Sequence, residues 1–471
     1  AVGVFSKESA VVLPGLIAGY EMVWGKRRSA LLWGCAATMV PIAAMLWQRS
    51  VVLGASAPAE FPFVDNPIAG AGFWTGRLTA IKVLARYLWL TIWPLRLSAD
   101  YSYSEIPLAR GSLQDWIAWI AIAAALALTV LLWRRNRTAC FFAGFAFLNL
   151  LPTANLIFPV GTIMAERFLY LPAAGLLACL ILAVDGVTPR ANLAIGLLGL
   201  VGVGFGVRTW MRNRDWRDDL TMATASVQSS PRSFKVHRLL ATALFQSDSD
   251  RSNLDRVLAE GDQSIAILEG LADELNVAEP WNLAAAWHLA KGDALRQGGA
   301  RAQYERAVQV ALRSVAIETA VRASYDRRHG MTARVPPTAA TGYRVLASAY
   351  LRLGEADKAL PAAMQARTIN PASTEVYAEL ANAYLAQKRG EEAAMALAEG
   401  MFATSDQGLR NDLVALYRSG LDIKGCAVVA GPRGPALNPG CEMVHRDLCA
   451  GAQRAHRMEY FRQLSCPAET P

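Results

Sequence analysis

The stretch YRVLASAYL, residues 343–351, recurs 34 positions later as YAELANAYL, residues 377–385. In each copy a large residue precedes a Leu-Ala pair and an aromatic residue, and an alanine follows in the second half, at 359 and at 393. A 34-residue period with this pattern is the tetratricopeptide signature, in which small residues let the two helices of a unit approach closely. The sequence therefore predicts an α-solenoid built from helix pairs.

Two upstream stretches resemble degenerate units of the same kind, VHRLLATALF (236–245) and AAWHLAKGDAL (285–295). Pro371 lies between the two clear copies, where a helix is expected to stop. One unit cannot bury its own apolar face, so we expect a stack of about four units that presents a concave surface to another protein. The predicted solenoid occupies residues 211–415.

Residues 1–210 differ from the repeat region in hydropathy and in charge. The whole chain is 53% hydrophobic, with a mean hydropathy of +0.23, and its long uncharged runs lie in this part. Residues 1–210 hold 16 Lys and Arg against 9 Asp and Glu, whereas the remainder holds 31 against 30. A nucleic-acid-binding protein would need a basic face on its soluble part, so this class is excluded. The predicted fold class is all-α, with a multi-spanning helical membrane domain followed by the solenoid.

Several stretches of this domain are long and uncharged enough to cross about 30 Å of hydrocarbon. The two weaker ones, 9–24 and 78–95, contain charged residues and could be spans, interfacial helices or re-entrant elements. The five clearest are 29–47, 116–133, 138–158, 168–184 and 191–207.

The positions of basic residues predict the orientation of these spans. The connections at 26–28 and 134–137 are purely basic and are expected to be cytoplasmic, whereas the loops at 60–65 and 97–111 are mixed or acidic and are expected to lie outside. This alternation requires the stretch 78–95 to enter and leave on one side, which favours an interfacial or re-entrant element. The repeats are then extracytoplasmic, although a run of arginines follows the last span.

Four of the seven cysteines lie in a Gly/Pro-rich tail, residues 416–471: Cys426, Cys441, Cys449 and Cys466. An even number in a loop-rich tail favours two disulfides, with three possible pairings, and disulfides require an oxidising compartment. Zinc is the alternative, because His445 and His456 lie nearby, but no pair of cysteines has the close spacing of a zinc knuckle. No metal site is predicted.

The segment NLIFPVGTIMAERFLYLPAAG, residues 155–175, places a charged pair at the start of a predicted span. Arg167 could hold a phosphate, because a guanidinium stays charged and matches phosphate geometry. Glu166 could orient Arg167 or coordinate an ion. Alternatively, the pair only anchors the helix at the interface, and the same two interpretations apply to Lys7 and Glu8.

Three further polar residues lie in the loops expected outside, close to aromatic residues: Asp65, Asp100 and Tyr101. They are either members of a site or part of the loop structure. None of the five histidines has metal-ligand spacing, and no nucleophile paired with a histidine can be argued.

Taken together, these segments resemble the transmembrane and tetratricopeptide-repeat O-mannosyltransferase family, of the GT-C superfamily of lipid-phosphate-sugar glycosyltransferases. The resemblance rests on residues 155–175, on RNRDWRDD (212–219) and on the repeats that open with SPRSFKVHRLLA (230–241). FSKESAVVLP (5–14) is similar to the Lys-Glu helix of the superfamily, and FVDNPIAG (63–70) to an Asp-Asn-Pro stretch of the family's extracytoplasmic domain. The family resemblance as a whole extends to about residue 415.

The resemblance implies an integral membrane enzyme that transfers a sugar, expected to be mannose, from a polyprenyl- or dolichyl-phosphate donor to protein hydroxyls on the extracytoplasmic side. The implied partners are membrane lipid, the lipid-linked donor and a protein acceptor held by the repeats. No cofactor is firmly expected, and a divalent metal requirement stays open. Arg167, Glu166, Lys7 and Glu8 are the candidates for binding the donor phosphate.

In this family the catalytic acidic residue precedes the Lys-Glu helix, so we expect it upstream of residue 1, with this chain as a C-terminal part that lacks the first spans. The alternative is a non-enzymatic, membrane-anchored scaffold whose spans only tether the repeats. The Ala-rich, Arg-over-Lys composition favours a bacterial inner membrane with periplasmic repeats. A eukaryotic source would place the repeats in the lumen of the endoplasmic reticulum.

Overall fold

The computed structural model describes residues 1–25, 28–54, 60–187, 190–295, 298–330, 332, 335–418, 428–431 and 434–437. In chain order the α-helices are α1 (Val2–Ser6), α2 (Leu13–Trp24), α3 (Arg28–Gly54), α4 (Phe73–Ile92), α5 (Leu113–Arg135), α6 (Arg137–Leu150), α7 (Tyr170–Val187), α8 (Ala191–Asp215), α9 (Asp219–Ser229), α10 (Phe234–Ser247), α11 (Leu254–Glu269), α12 (Glu279–Ala294), α13 (Ala300–His329), α14 (Ala340–Leu353), α15 (Ala356–Ile369), α16 (Thr374–Ala386), α17 (Gly390–Thr404) and α18 (Gln407–Arg418).

The predicted all-α fold class is confirmed for the membrane and repeat regions. In the tail, the described residues form one short antiparallel pair of strands, β1 (Val428–Gly431) and β2 (Gly434–Leu437). The four tail cysteines lie outside the described residues, so their pairing stays a prediction.

Contacts divide the chain into two compact units. The first consists of Ala1–Ser249 and Ala266–Leu271, and the second of Asp250–Ile265 and Ala272–Pro471. The first unit contains all the apolar helices and also α9 and α10, which follow residue 210. The domain boundaries at residues 210 and 415 stay predictions.

Four helical segments of the first unit are long and apolar enough to cross a membrane, and they correspond to four of the five clearest predicted spans: Ser29–Gly54, Leu113–Arg135, Glu166–Gly186 and Ala191–Asp215. The fifth, at 138–158, is not among them. Its helix, α6, ends at Leu150 after 14 residues, because Pro152 has no backbone N–H and disfavours a helical residue before it. The weak candidate 9–24 contains only the 12-residue helix α2.

Helix α4 covers the second weak candidate, and its charged side chains face the protein. Lys82 Nζ lies 2.7 Å from Asp115 Oδ1 at the start of α5. The same helix exposes Trp74, Trp89 and Ile92. A helix with paired charges inside and aromatic residues outside is typical of a membrane interface, where amphipathic rings are favoured.

The loops before and after α4 are joined to each other. The Tyr103 N–H donates to the Val64 carbonyl at 2.8 Å, and the Ile163 N–H donates to the Asp65 carbonyl at 3.1 Å. Both ends of α4 therefore connect to one layer of loops, as an interfacial or re-entrant helix requires.

The two clear repeat copies fold as helix pairs, α14 with α15 and α16 with α17. Leu346 and its equivalent Leu380 are buried, and the equivalent alanines Ala359 and Ala393 are fully inaccessible. The alanines thus occupy the close contacts between helices that the 34-residue pattern predicts.

The first helix of each copy ends in the same turn. The N–H of Gly354 donates to Leu351 O at 3.0 Å, and that of Lys388 donates to Leu385 O at 2.9 Å. Gly354 has a φ of +79° and Lys388, its equivalent 34 residues on, a φ of +60°. This left-handed conformation suits glycine and is strained for a residue with a Cβ atom.

We expect Lys388→Gly to raise the free energy of unfolding of the repeat region by about 0.5–1 kcal/mol, since relief of strain exceeds the added unfolded-state entropy. The reciprocal variant Gly354→Lys should lower it by about 1–2 kcal/mol, because a Cβ atom there has open space and meets only backbone strain. Amide hydrogen exchange of α14 and α16 in the intact chain measures both effects. Equal exchange in the two variants and the parent would contradict the strain argument.

Candidate functional site

Tyr101 and Glu166, which the sequence singles out separately, meet in the first unit. The Tyr101 hydroxyl donates to Glu166 Oε1 at 2.5 Å, and the Ser98 N–H donates to the same oxygen at 2.7 Å. Tyr101 is 1% exposed. Burial and the adjacent negative charge of Glu166 raise the pKa of Tyr101, so its hydroxyl stays a hydrogen-bond donor.

Asp100, the neighbour of Tyr101, accepts several hydrogen bonds through its carboxylate. Ser102 donates from its N–H at 2.7 Å and from its hydroxyl at 2.9 Å, and the Ser233 hydroxyl donates at 2.8 Å. Ser233 immediately precedes α10. Asp100 therefore ties the loop after α4 to the first helices after the last span.

Lys235 bridges two of the predicted candidates. Its ammonium forms an ion pair with Asp65 and lies 3.9 Å from Asp100 Oδ1. The side chains of Lys235, Asp65 and Asp100 are 27%, 25% and 16% exposed, so the group is accessible from solvent. We call Asp65, Asp100, Tyr101, Glu166 and Lys235 the polar cluster.

Asn66, next to Asp65, connects two of the stretches that carry the family resemblance, residues 63–70 and 155–175. Its buried amide donates to Asn155 Oδ1 at 2.8 Å and to Val160 O at 2.6 Å. Asn155, with a φ of +58°, in turn donates to Ile163 O at 3.2 Å. Residues 63–70 and 155–175 thus form one hydrogen-bonded unit beside the polar cluster.

A further carboxylate, that of Glu105, is linked to Tyr101 through Arg86. Arg86 Nη2 of α4 is 3.3 Å from Glu105 Oε1, and the Arg86 guanidinium lies over the Tyr101 ring, 4.9 Å from its centroid. The Arg232 side chain donates to the Glu105 carbonyl at 2.9 Å. These contacts fix the loop that carries Asp100 and Tyr101.

Arg167 is exposed, unlike Glu166 beside it. Its guanidinium lies 5.3 Å from the ring centroid of its neighbour Phe168. Within the part of the chain that the structure describes, it forms no ion pair or side-chain hydrogen bond. It is therefore a cation without a compensating carboxylate at the start of the α7 span.

Two more arginines lie at this end of the spans, on the last turns of α8. Arg208 donates to Pro94 O at 2.7 Å, and Arg212 pairs with Asp215 at 3.0 Å. Both are near enough to Glu166 to interact electrostatically with its carboxylate. Arg212 is 8% exposed.

Lys7 and Glu8 are not joined to the polar cluster. Glu8 forms an ion pair with Arg49 of α3, and both side chains are exposed. No hydrogen bond or ion pair between described residues joins Lys7 or Glu8 to the polar cluster. Their role in donor binding stays a prediction.

Sequence reasoning missed Lys235, Glu105 and Arg232, and it did not connect Arg208 or Arg212 with Glu166. The available signal was weak, because these residues lie in ordinary charged stretches. Among the described residues, no group of three or more His, Cys, Asp or Glu is arranged to hold a metal ion.

The fold and the site define a multi-spanning helical membrane protein with a tetratricopeptide solenoid and a polar, partly cationic cluster where its spans end. An uncompensated guanidinium group, that of Arg167, near hydrogen-bonded carboxylates suits an anionic ligand such as a phosphate.

Residues 54–129 match the family model described as protein O-mannosyl-transferase TMTC, DUF1736. This region contains α4, most of α5 and the residues Asp65, Asp100 and Tyr101. This region of the chain is thus similar to the TMTC family, as the sequence motifs indicate.

Curated relatives agree with this assignment. Protein O-mannosyl-transferase Tmtc3 of Drosophila melanogaster is 28% identical over 231 residues, 46% of this chain and 25% of that protein. Protein O-mannosyl-transferase TMTC4 of Mus musculus is 29% identical over 226 residues, 45% and 30% of the two chains. Protein O-mannosyl-transferase Tmtc1 of Drosophila melanogaster is 41% identical over 104 residues, 20% and 12%. The match therefore spans less than a third of the length of each of these relatives.

Among solved structures, the crystal structure of a thermophilic TPR protein of Thermus thermophilus aligns with 45% of this chain and 95% of its own. The identity is 17% and the TM-score is 0.32. A score this low carries no argument about the fold. The solenoid is identified from the repeat pattern and the helix pairs themselves.

Proposed function

We propose that this chain is part of an integral membrane glycosyltransferase that transfers a sugar, mannose being the first candidate, from a polyprenyl- or dolichyl-phosphate donor to protein hydroxyls. The observation that carries the proposal is the polar cluster itself. Beside the cluster, Asn66 joins residues 63–70 to residues 155–175, which contain the exposed, uncompensated Arg167. The names of the relatives support the same class of reaction.

The donor phosphate binds at Arg167 in this proposal. A guanidinium donates bidentate hydrogen bonds to phosphate and keeps its charge in a low-dielectric setting. Arg208 and Arg212 add positive potential near this position. Glu166 is a positioning residue, because its carboxylate holds Tyr101 and the Ser98 backbone while leaving the Arg167 side chain directed to the surface.

The acceptor is a protein that the repeats present on the extracytoplasmic side. Ser233 and Lys235, which reach the polar cluster, belong to the first helices after the last span. The site and the start of the repeat region are therefore contiguous within the first unit. Binding energy from a remote part of the acceptor can then orient its hydroxyl at the donor.

The test is sugar transfer from a labelled polyprenyl-phosphate donor by the full-length membrane protein. Arg167→Ala should reduce kcat/KM by about tenfold to 100-fold, the worth of one or two charge-assisted hydrogen bonds. Arg190→Ala is the matched control, because Arg190 is also an exposed arginine but lies at the other end of α8.

Wild-type transfer by Arg167→Ala would remove this residue from the donor site. Absence of transfer by the unaltered full-length protein with every polyprenyl-phosphate sugar would overturn the enzyme proposal. That result would favour a membrane-anchored scaffold.

A further inference from the structure

A second feature of the first unit is an apolar groove of about 410 Å³ between α2, α5 and α6. Its size lies in the range of about 300–1,000 Å³ that is typical of small-molecule sites. Hydrocarbon side chains and glycines make up most of its lining, and the Thr129 hydroxyl donates to a carbonyl of its own helix. The groove therefore suits a hydrocarbon chain and offers little to a polar ligand.

Glycines keep the groove open. A Cβ atom added at Gly144, on α6, would meet no atom within 4 Å. At Gly15 and Gly19, on α2, it would lie 3.5 Å from Leu148 and from Phe141, at ordinary contact distance. A bulky side chain at Gly144 would thus enter the groove without displacing the protein around it.

One end of the groove is strongly basic. Trp133 forms part of its wall, and the Arg137 guanidinium lies over this ring, 5.4 Å from the centroid. Arg134 and Arg135, at the end of α5, are exposed like Arg137. Among the described residues, none of these three arginines forms an ion pair. We call Arg134, Arg135 and Arg137 the basic rim.

The neighbouring helix ends at the same rim. The Trp24 ring, at the end of α2, packs on Phe141 with centroids 4.9 Å apart. The sequence continues from there with Lys26, Arg27 and Arg28, whose side chains lie outside the described part. The nearest acidic residue along α2 is Glu21, so positive charge greatly exceeds negative charge here.

We propose that the groove and its basic rim form a binding site for an anionic glycerophospholipid. One acyl chain lies in the groove, and the headgroup phosphate binds the rim arginines. Basic pockets between membrane helices select anionic headgroups in this way. A chain in the groove gains little over the bilayer itself, so the arginines provide the selectivity and the groove fixes the position of the lipid.

This site is distinct from the polar cluster. Asp115, beside the loops of the cluster, and Arg135, at the rim, lie 20 residues apart on α5. That separation corresponds to roughly 30 Å along a helix axis. The inference therefore does not depend on the proposed transfer reaction.

Native mass spectrometry of the intact chain, released from mixed micelles, tests the proposal. The probes are dioleoyl phosphatidylglycerol, dioleoyl phosphatidylcholine and chain-free glycerol phosphate. We expect phosphatidylglycerol to be retained at least about fivefold over phosphatidylcholine. The triple variant Arg134→Gln/Arg135→Gln/Arg137→Gln should abolish this preference, and Gly144→Leu should lower the retention of phosphatidylglycerol.

The matched controls are Arg190→Gln, which removes an exposed arginine elsewhere, and Gly202→Leu, which fills open space beside α8. Both should retain lipid as the parent does. Equal retention of the two lipids by the parent, or unchanged retention in both the triple variant and Gly144→Leu, would overturn the proposal. Full competition by glycerol phosphate would exclude the groove as the binding element.

Discussion

Replacing Asp115 by alanine is expected to lower the free energy of unfolding by about 3–5 kcal/mol, the cost of leaving a buried charge unpaired. Asp115 is 1% exposed, and its carboxylate lies 2.7 Å from the Lys82 ammonium. The side chain of Lys82, on α4, is itself 15% exposed. Without Asp115, its nearest remaining partner is the Pro107 carbonyl, at 3.1 Å.

Asp115 also lies in the first turn of α5. Its carboxylate accepts the N–H groups of Arg110 and Ser112 at 3.0 Å each, and the Ser112 hydroxyl accepts the Asp115 N–H. This capping box contributes about 1 kcal/mol in addition. The substitution thus disturbs both the loop before α5 and the position of α4 against it.

Thermal and denaturant unfolding of the detergent-solubilised chain measure the effect. Asp219→Ala is the matched control, because Asp219 lies in the first turn of α9 but is exposed. The double variant Lys82→Met/Asp115→Leu removes both charges and should recover all but the capping contribution, since a buried ion pair and an apolar pair are often equivalent. A loss below about 1 kcal/mol in Asp115→Ala would show that the ion pair is not effectively buried.

The two clear repeat copies could be predicted from the sequence, because their signal is local and periodic. The 34-residue shift predicts both helix pairs, and even the turn at Gly354 recurs at Lys388 with the same hydrogen bonds. Uninterrupted apolar runs likewise predict four helices that can span a membrane. In each case one segment of sequence determines one element of structure.

The irregular part of the first unit could not be predicted in this way. The apolar run at 138–158 contains a helix only to Leu150, since hydropathy does not distinguish a helix from a buried turn after Pro152. The charges of α4 argue against a span, but their partners Asp115 and Glu105 are not apparent from sequence. Pairing across a fold depends on tertiary contacts, and these leave no periodic trace in one sequence.

Some residues of the candidate site could likewise be recognised from the sequence, whereas others could not. Asp65, Asp100, Tyr101 and Glu166 are polar residues in apolar or aromatic surroundings, so each is noticeable by itself. Lys235 lies 170 positions from Asp65 in an ordinary amphipathic helix. Only the folded chain shows that this lysine joins the two aspartates.

The largest effect on the proposed reaction is expected from Glu166→Ala. The Tyr101 hydroxyl and the Ser98 N–H would lose their common acceptor. The Ser98 N–H keeps its bond to the Tyr101 oxygen at 3.3 Å, but the buried Tyr101 hydroxyl would be left as an unpaired donor, which costs about 1–3 kcal/mol. The loop that carries Asp100 and Tyr101 would then separate from the start of α7, where Arg167 lies. If the transition state needs this loop held against the start of α7, kcat/KM should fall by about 100-fold or more.

Two variants divide this effect into its parts. Glu166→Gln keeps an oxygen that can accept from Tyr101 but removes the charge near Arg208 and Arg212, whereas Tyr101→Phe keeps the charge and removes one hydrogen bond. If the main role of Glu166 is to hold the Tyr101 loop in position, the rate of sugar transfer by Glu166→Gln should be closer to that of the parent than the rate of Glu166→Ala.

Glu274→Ala, which removes an exposed carboxylate in the second unit, should leave transfer unchanged. A folded Glu166→Ala protein that transfers sugar within about twofold of the parent would refute the positioning role, because a difference that small corresponds to less than about 0.5 kcal/mol. Donor binding by Arg167 would then have to proceed without help from the loop that Glu166 holds.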